Sequence, residues 1–256
     1  MAIPPNIRFR KPTARQLASG SARRWALRRQ VVQWLLTQHP HPSGFSCEVA
    51  TALQHDRADV AAFWSEPHTF EGRRLFEPTR TLVVLVALTR EECYAAGINP
   101  EALHNELGYS RRQMTRLQET IRQTEPNLRA GDALFSEYAD WHYEKSQNPE
   151  YKELAKHLKE LEEQLYHGTR MERLARNVVA DECYLAVPEG VLLRDEILPG
   201  WGLLVVPPSG EQGFGRLIVE HPAIPQDCPA TTRLHLVQNI ALASSQYVSA
   251  LLRIPR

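Results

Sequence analysis

The sequence predicts a mixed α/β fold, a central mixed sheet flanked by helices and interrupted by a helical insertion. Three observations carry that expectation. The run Arg80-Thr-Leu-Val-Val-Leu-Val-Ala-Leu-Thr-Arg90 is aliphatic and β-branched almost throughout, as a strand covered on both faces must be. Two further strand-like runs, Arg57-Ala-Asp-Val-Ala-Ala-Phe-Trp64 and Ala180-Asp-Glu-Cys-Tyr-Leu-Ala-Val187, precede and follow it. Residues 97–169, between the second and third of these runs, have helical character over most of their length.

Taken in order, residues 1–20 hold Pro4, Pro5, Pro12 and Gly20 with little periodicity and read as a basic, mobile arm. Trp25, Arg28, Val31, Val32 and Leu35 then fall at helical spacing, so a first helix is expected over Ser21–Gln38, ended by His39-Pro-His-Pro. Phe45–Leu53 and Arg57–Trp64 read as strands. Pro67, Gly72 and Pro78 make residues 65–79 read as a loop before the apolar strand.

In the insertion, Asn99 and Pro100 suit a helix start, Gly108 a left-handed helix stop and Ser110 the cap of a second helix. That succession resembles a helix-turn-helix at residues 99–123, which would turn Arg111, Arg112, Gln113 and Arg116 toward DNA. His104 stands where such motifs usually carry a small residue, and a plain helical hairpin is the reading the short motif favours. The aromatics Phe135, Tyr138, Trp141 and Tyr143 read first as packing residues and second as a base-stacking surface. Tyr151, Leu154, Leu158, Leu161 and Leu165 step by three and four, an amphipathic helix suited to packing on the body or pairing two copies. Strands are expected again at Glu182–Val187, Trp201–Val206 and Arg216–Glu220, and a last helix at Thr231–Leu252. The resulting division is 1–20, 21–96, 97–169 and 170–256, the second and fourth parts forming one sheet-containing body.

Composition narrows the function less than position does. Lys+Arg and Asp+Glu balance at 30 each, yet the first acid is Glu48. Before it come Arg8, Arg10, Lys11, Arg15, Arg23, Arg24, Arg28 and Arg29, a block able to meet nucleic-acid phosphates or simply to be solvated. The four cysteines are far apart and have no zinc-ligand spacing, which suits buried thiols in a reducing compartment. No run approaches the roughly 20 apolar residues of a membrane span, and the start lacks a signal-peptide core, so a cytoplasmic protein is expected.

Arg57-Ala-Asp-Val60, the apolar strand ending in Thr89-Arg90, Cys183-Tyr-Leu-Ala-Val-Pro188 and Gly200-Trp-Gly-Leu-Leu-Val-Val206 together resemble the MmcB-like DNA-repair family of the PD-(D/E)xK, restriction-endonuclease-like fold. The resemblance covers roughly residues 22–90 and 170–220. That chemistry needs an Asp on one strand and Glu-x-Lys on the next, so that two carboxylates hold Mg²⁺ while the Lys orients water. In that frame Asp59 matches the Asp and Glu48 an earlier acidic position, whereas Leu85 and Ala87 stand in place of the Glu and the Lys.

The resemblance therefore implies a nucleic-acid-binding protein, with DNA as partner and a place in repair, defence or mobile-element processing, but without hydrolysis or a cofactor. Arg23, Arg24, Arg28, Arg29, Arg111, Arg112 and Arg116 are the expected nucleic-acid contacts. One alternative is a Mg²⁺-dependent endonuclease using Asp59 with a carboxylate from Glu48, Glu91 or Glu92. Another is an adaptor that pairs with itself or with a protein partner through residues 151–166.

Overall fold

The computed structural model describes residues 20–53, 56–94, 100–130, 140–209 and 213–252. By compactness the chain divides into two units, Met1–Cys93 with Arg170–Arg256, and Tyr94–Thr169.

The first unit is built on one six-stranded mixed sheet: β1 (Gly44–Ala50), β2 (Arg57–Phe70), β3 (Arg73–Val86), β4 (Glu182–Pro188), β5 (Gly202–Val206) and β6 (Ile218–His221), side by side in chain order. β1, β2 and β3 run antiparallel, β3, β4 and β5 parallel, and β6 antiparallel to β5. Parallel neighbours cannot be joined by a tight turn. The connection from β3 to β4 is where the chain makes the second unit.

Helix α1 (Gly20–Leu35) closes one face of the sheet. Its Leu27, Val31 and Leu35 repeat every four residues and are fully buried. They meet Val60, Ala62 and Trp64 of β2, Leu82, Val84 and Val86 of β3, Tyr184 and Ala186 of β4, and Leu204 and Val206 of β5. The helix stops short of the expected Gln38 because the Thr37 and Gln38 amides bond back three residues, to Trp34 and Leu35. The C-terminal helix (Ala230–Leu252) packs along β1 and reaches β2 and β3. With helices on both faces, Val83 and Leu85 are as buried as Leu82 and Val84, which is why β3 shows no alternation of apolar and polar residues.

Residues 65–79, read from the sequence as a loop, instead extend the β2–β3 hairpin, with Phe70 opposite Arg73 across the turn. Glu71 and Gly72 both have positive φ, 49° and 73°, as a two-residue hairpin turn of the right-handed-twist-matching kind requires. Pro67 and Pro78 are tolerated because the ladder shifts register between Trp64 and Ser65 and, among the described residues, no strand pairs with the outer sides of the arm beyond that point.

In the second unit, α2 (Pro100–Thr124) and α3 (Pro149–Tyr166) lie against each other, burying Leu107, Ile121, Leu161 and Leu165. The expected helix-turn-helix is corrected here: α2 is one continuous helix, and no turn occurs at Gly108. Gly108 is not among the positive-φ glycines, and Ser110 is buried inside the helix instead of capping a new one. The apolar stripe Leu107, Met114, Leu117 and Ile121 continues without a change of phase, and its packing outweighs the ~1 kcal/mol cost of one interior glycine. Asn148 caps α3 by accepting from the Tyr151 amide, with Pro149 in the first turn. Asn99, Phe135 and Tyr138 lie outside the described residues. A short helix, α4 (Arg170–Arg176), begins the return of the chain to the first unit; the C-terminal helix is α5.

Candidate functional site

The site begins with two carboxylates facing each other. The β1–β2 register puts Cys47 opposite Val60 and Val49 opposite Ala58, so Glu48 stands opposite Asp59. Like charges opposed across a strand pair are destabilising, and Glu48 carries a φ of 54°, unusual for a residue with a side chain. Both features are reconciled by Arg28. It reaches from α1 to place Nε 3.0 Å and Nη2 2.6 Å from Oδ1 of Asp59, and Nη1 2.7 Å from Oε1 of Glu48. Oδ2 of Asp59 accepts the Val86 amide at 3.0 Å and lies 3.3 Å from Nη2 of Arg170, which also donates to the Arg57 carbonyl. Asp59 is only 3% exposed and Arg28 8%. Burial by itself would lower the Arg28 pKa, but the hydrogen bonds and charges of Asp59 and Glu48 outweigh it and hold the pKa above its ordinary value.

This arrangement does not fit a divalent metal. Between Asp59 and Glu48, where the resemblance would seat Mg²⁺, the guanidinium of Arg28 supplies the positive charge. Leu85 and Ala87, each 3% exposed, have neither a carboxylate to add nor an amine to orient water. Neither Glu91 nor Glu92 replaces them. Glu92 folds back to accept the Leu88 amide at 3.1 Å and Arg24 Nη2 at 2.6 Å, while Arg24 also donates to the Val86 carbonyl. Glu91 is exposed, and hydrogen bonds from Thr89 and its own backbone hold its pKa below the ordinary value. Among the described residues no group of three His, Cys, Asp or Glu could hold a metal ion.

The arginines expected to meet nucleic acid separate into two sets. Arg24 and Arg28 are bonded to the protein's own carboxylates, because α1 turns them toward the ends of β2 and β3. Arg23 and Arg29 are exposed on the same helix. In the second unit Arg111 is 3.1 Å from Glu162, and Arg112 and Arg116 are exposed on α2. Within that unit Trp141, Tyr143 and Tyr151 are neighbours, and Arg122 sits over the first two rings and donates to the Tyr143 hydroxyl. Those aromatics pack on one another. Arg8, Arg10, Lys11 and Arg15 lie outside the described residues.

Sequence reasoning missed Arg170 and, with it, a rule of the first unit: each buried carboxylate among the described residues is bonded to an arginine. Asp56 pairs with Arg173 at 2.7 Å, Asp181 with Arg233 at 2.6 Å, Glu182 with Arg80 at 2.5 Å and Glu196 with Arg90 at 2.5 Å. For Asp181, burial pushes the pKa up, but Arg233 and the Thr81 hydroxyl and amide more than offset it, leaving the pKa below its ordinary value. The available signal was the coincidence of Asp and Glu in apolar runs, as in Ala180-Asp-Glu-Cys183; nothing local named the partners. Burial pushes the Cys47 and Cys228 thiols up to about 11 and those of Cys93 and Cys183 up to about 12, which favours the protonated thiol at neutral pH.

Among the described residues no helix is long and apolar enough to cross a membrane. No protein-family model matches the chain, and no curated protein matches it. A solved structure, the SPO1766 protein of unknown function from Silicibacter pomeroyi, is similar over 87% of each chain, with 15% identity and a TM-score of 0.37, a likeness too slight to bear on function.

Proposed function

We propose that this protein binds DNA without hydrolysing it, on a body that resembles a PD-(D/E)xK nuclease. The observation that carries the reading is Arg28. A guanidinium bonded to both Asp59 and Glu48 supports a site kept for structure after loss of the Glu-x-Lys chemistry, whose positions are the apolar Leu85 and Ala87. The same helix supports the choice of ligand. Gly20–Leu35 has four arginines and no acid, and Arg23 and Arg29 face solvent, continuing the basic character of the segment before it. Phosphate contacts of this kind give affinity without sequence preference, so binding should weaken steeply with salt.

The test is fluorescence anisotropy of labelled DNA over a salt series. Retention at low salt is expected, with Arg23→Ala/Arg29→Ala weakening it and lowering the salt slope by roughly 0.7–0.9 per lost phosphate contact. No retention at low salt would end the reading. Cleavage in Mg²⁺ or Mn²⁺ that disappears in Asp59→Ala would overturn its non-hydrolytic part.

A further inference from the structure

On the sheet face covered by α1, an open groove of about 410 Å³ lies between that helix and the chain leading into β6. Its volume falls in the range of small-ligand sites, roughly 300–1,000 Å³. Its lining combines two aromatic rings, Trp34 and Phe214, with the polar side chains of Gln30, Gln33 and Arg216. The rings are held from behind. Both pack against the core, Trp34 edge-on to Tyr184 at 5.6 Å, and Leu217, which also lines the groove, is a buried member of that core. No described residue makes a hydrogen bond or ion pair to the side chains of Gln30, Gln33 or Arg216, unlike Arg28 or Arg24 on the same helix.

We propose that this groove receives an unstacked nucleobase of a single DNA strand. The flat rings of Trp34 and Phe214 offer the stacking surface, the Gln30 and Gln33 amides offer both donors and acceptors to a base edge, and Arg216 offers charge to the adjoining phosphate. The approach is already basic. Arg23 lies two turns before Gln30 on the same helical face, and Arg29 lies one turn before Gln33. A duplex hides its base faces, so the groove distinguishes single strands from duplex where the arginines alone do not.

This inference rests on the DNA-binding reading, and its experiment separates the two. Anisotropy is measured for a labelled single strand, the same strand with abasic sites, and the duplex, with deoxyadenosine monophosphate as competitor. The intact single strand is expected to bind about fivefold to a hundredfold more tightly than the abasic strand. Gln30→Ala/Phe214→Ala/Arg216→Ala, checked for native circular dichroism, should abolish that difference while duplex affinity stays nearly unchanged. If abasic and intact strands bind alike and the variant changes nothing, the groove inference falls and the arginine reading stands. If neither strand nor duplex is retained, both fall. Binding of the mononucleotide with no preference for the intact strand also overturns it, because the ligand would then be a free nucleotide.

Discussion

At the residue scale, the decisive side chain is Arg28. Its two carboxylate partners come from adjacent strands, and one of them, Asp59, is almost wholly buried. Removing one partner of such a pair strands the other charge in a poor solvent. Arg28→Ala is therefore expected to lower unfolding free energy by about 3–5 kcal/mol, read from urea or guanidinium transitions. Arg28→Met/Asp59→Leu, which removes both charges and keeps apolar volume, should recover most of that loss. An Arg28→Ala protein as stable as the parent would show that Arg170, 3.3 Å from Oδ2 of Asp59, is enough to hold the buried carboxylate. The acid at Asp59 and the apolar Leu85 and Ala87 were legible in the sequence. The occupation of the site by Arg28 was not, because from its spacing Arg28 looks equally like a residue of a solvated basic edge.

At the element scale, β3 was legible and its hairpin arm was not. An unbroken aliphatic run has few alternatives to a strand buried on both sides, whereas Pro67 and Pro78 are ordinarily read as loop residues, and only the register shift after Trp64 lets them sit in the ladder. The helix-turn-helix expectation failed for the converse reason: Gly108 has a helix-stop signature in sequence, but the stripe on either side of it packs as one surface. Another glycine is required by contact. Gly202 lies opposite Tyr184 across the β4–β5 ladder, and a Cβ there would come within 2.2 Å of the Tyr184 ring and 2.7 Å of the Ala223 amide nitrogen. Tyr184 is itself packed by Trp34 and buried, so it has little room to move. Gly202→Ala is expected to destabilise by about 1–3 kcal/mol, seen as a lower thermal midpoint. Gly72→Ala, which has open space but a φ of 73°, should fail for a different reason, local turn strain.

At the scale of the whole molecule, the first unit is fastened by acid–arginine pairs that join distant parts of the chain. Asp181 and Arg233 tie the approach to β4 to α5, and Thr81 adds β3 to the same carboxylate. The net folded pKa of Asp181 is below its unfolded value, ordinarily about 3.9. A depressed carboxylate stabilises the fold above the unfolded pKa, and that contribution is lost as pH falls from there through the folded pKa. Arg233→Met is therefore expected to lower the urea midpoint at neutral pH, with the gap between variant and parent narrowing below about pH 4. A gap of the same size from pH 7 to pH 3 would show that Arg233 acts through packing and not through this charge.

By itself the sequence determined the class of fold and most of the sheet, because strand and helix periodicities are set over a few neighbouring residues and burial imprints them directly. It also determined that Leu85 and Ala87 carry no metal chemistry, since that follows from side-chain composition alone. Only the tertiary structure decided which of the α1 arginines are bonded to the buried Asp59 and to Glu48 and Glu92, and which are exposed on the helix. Arg23, Arg24, Arg28 and Arg29 have the same chemistry and almost the same sequence surroundings; what separates them is the azimuth of one helix over the ends of β2 and β3, a consequence of packing that no local pattern encodes.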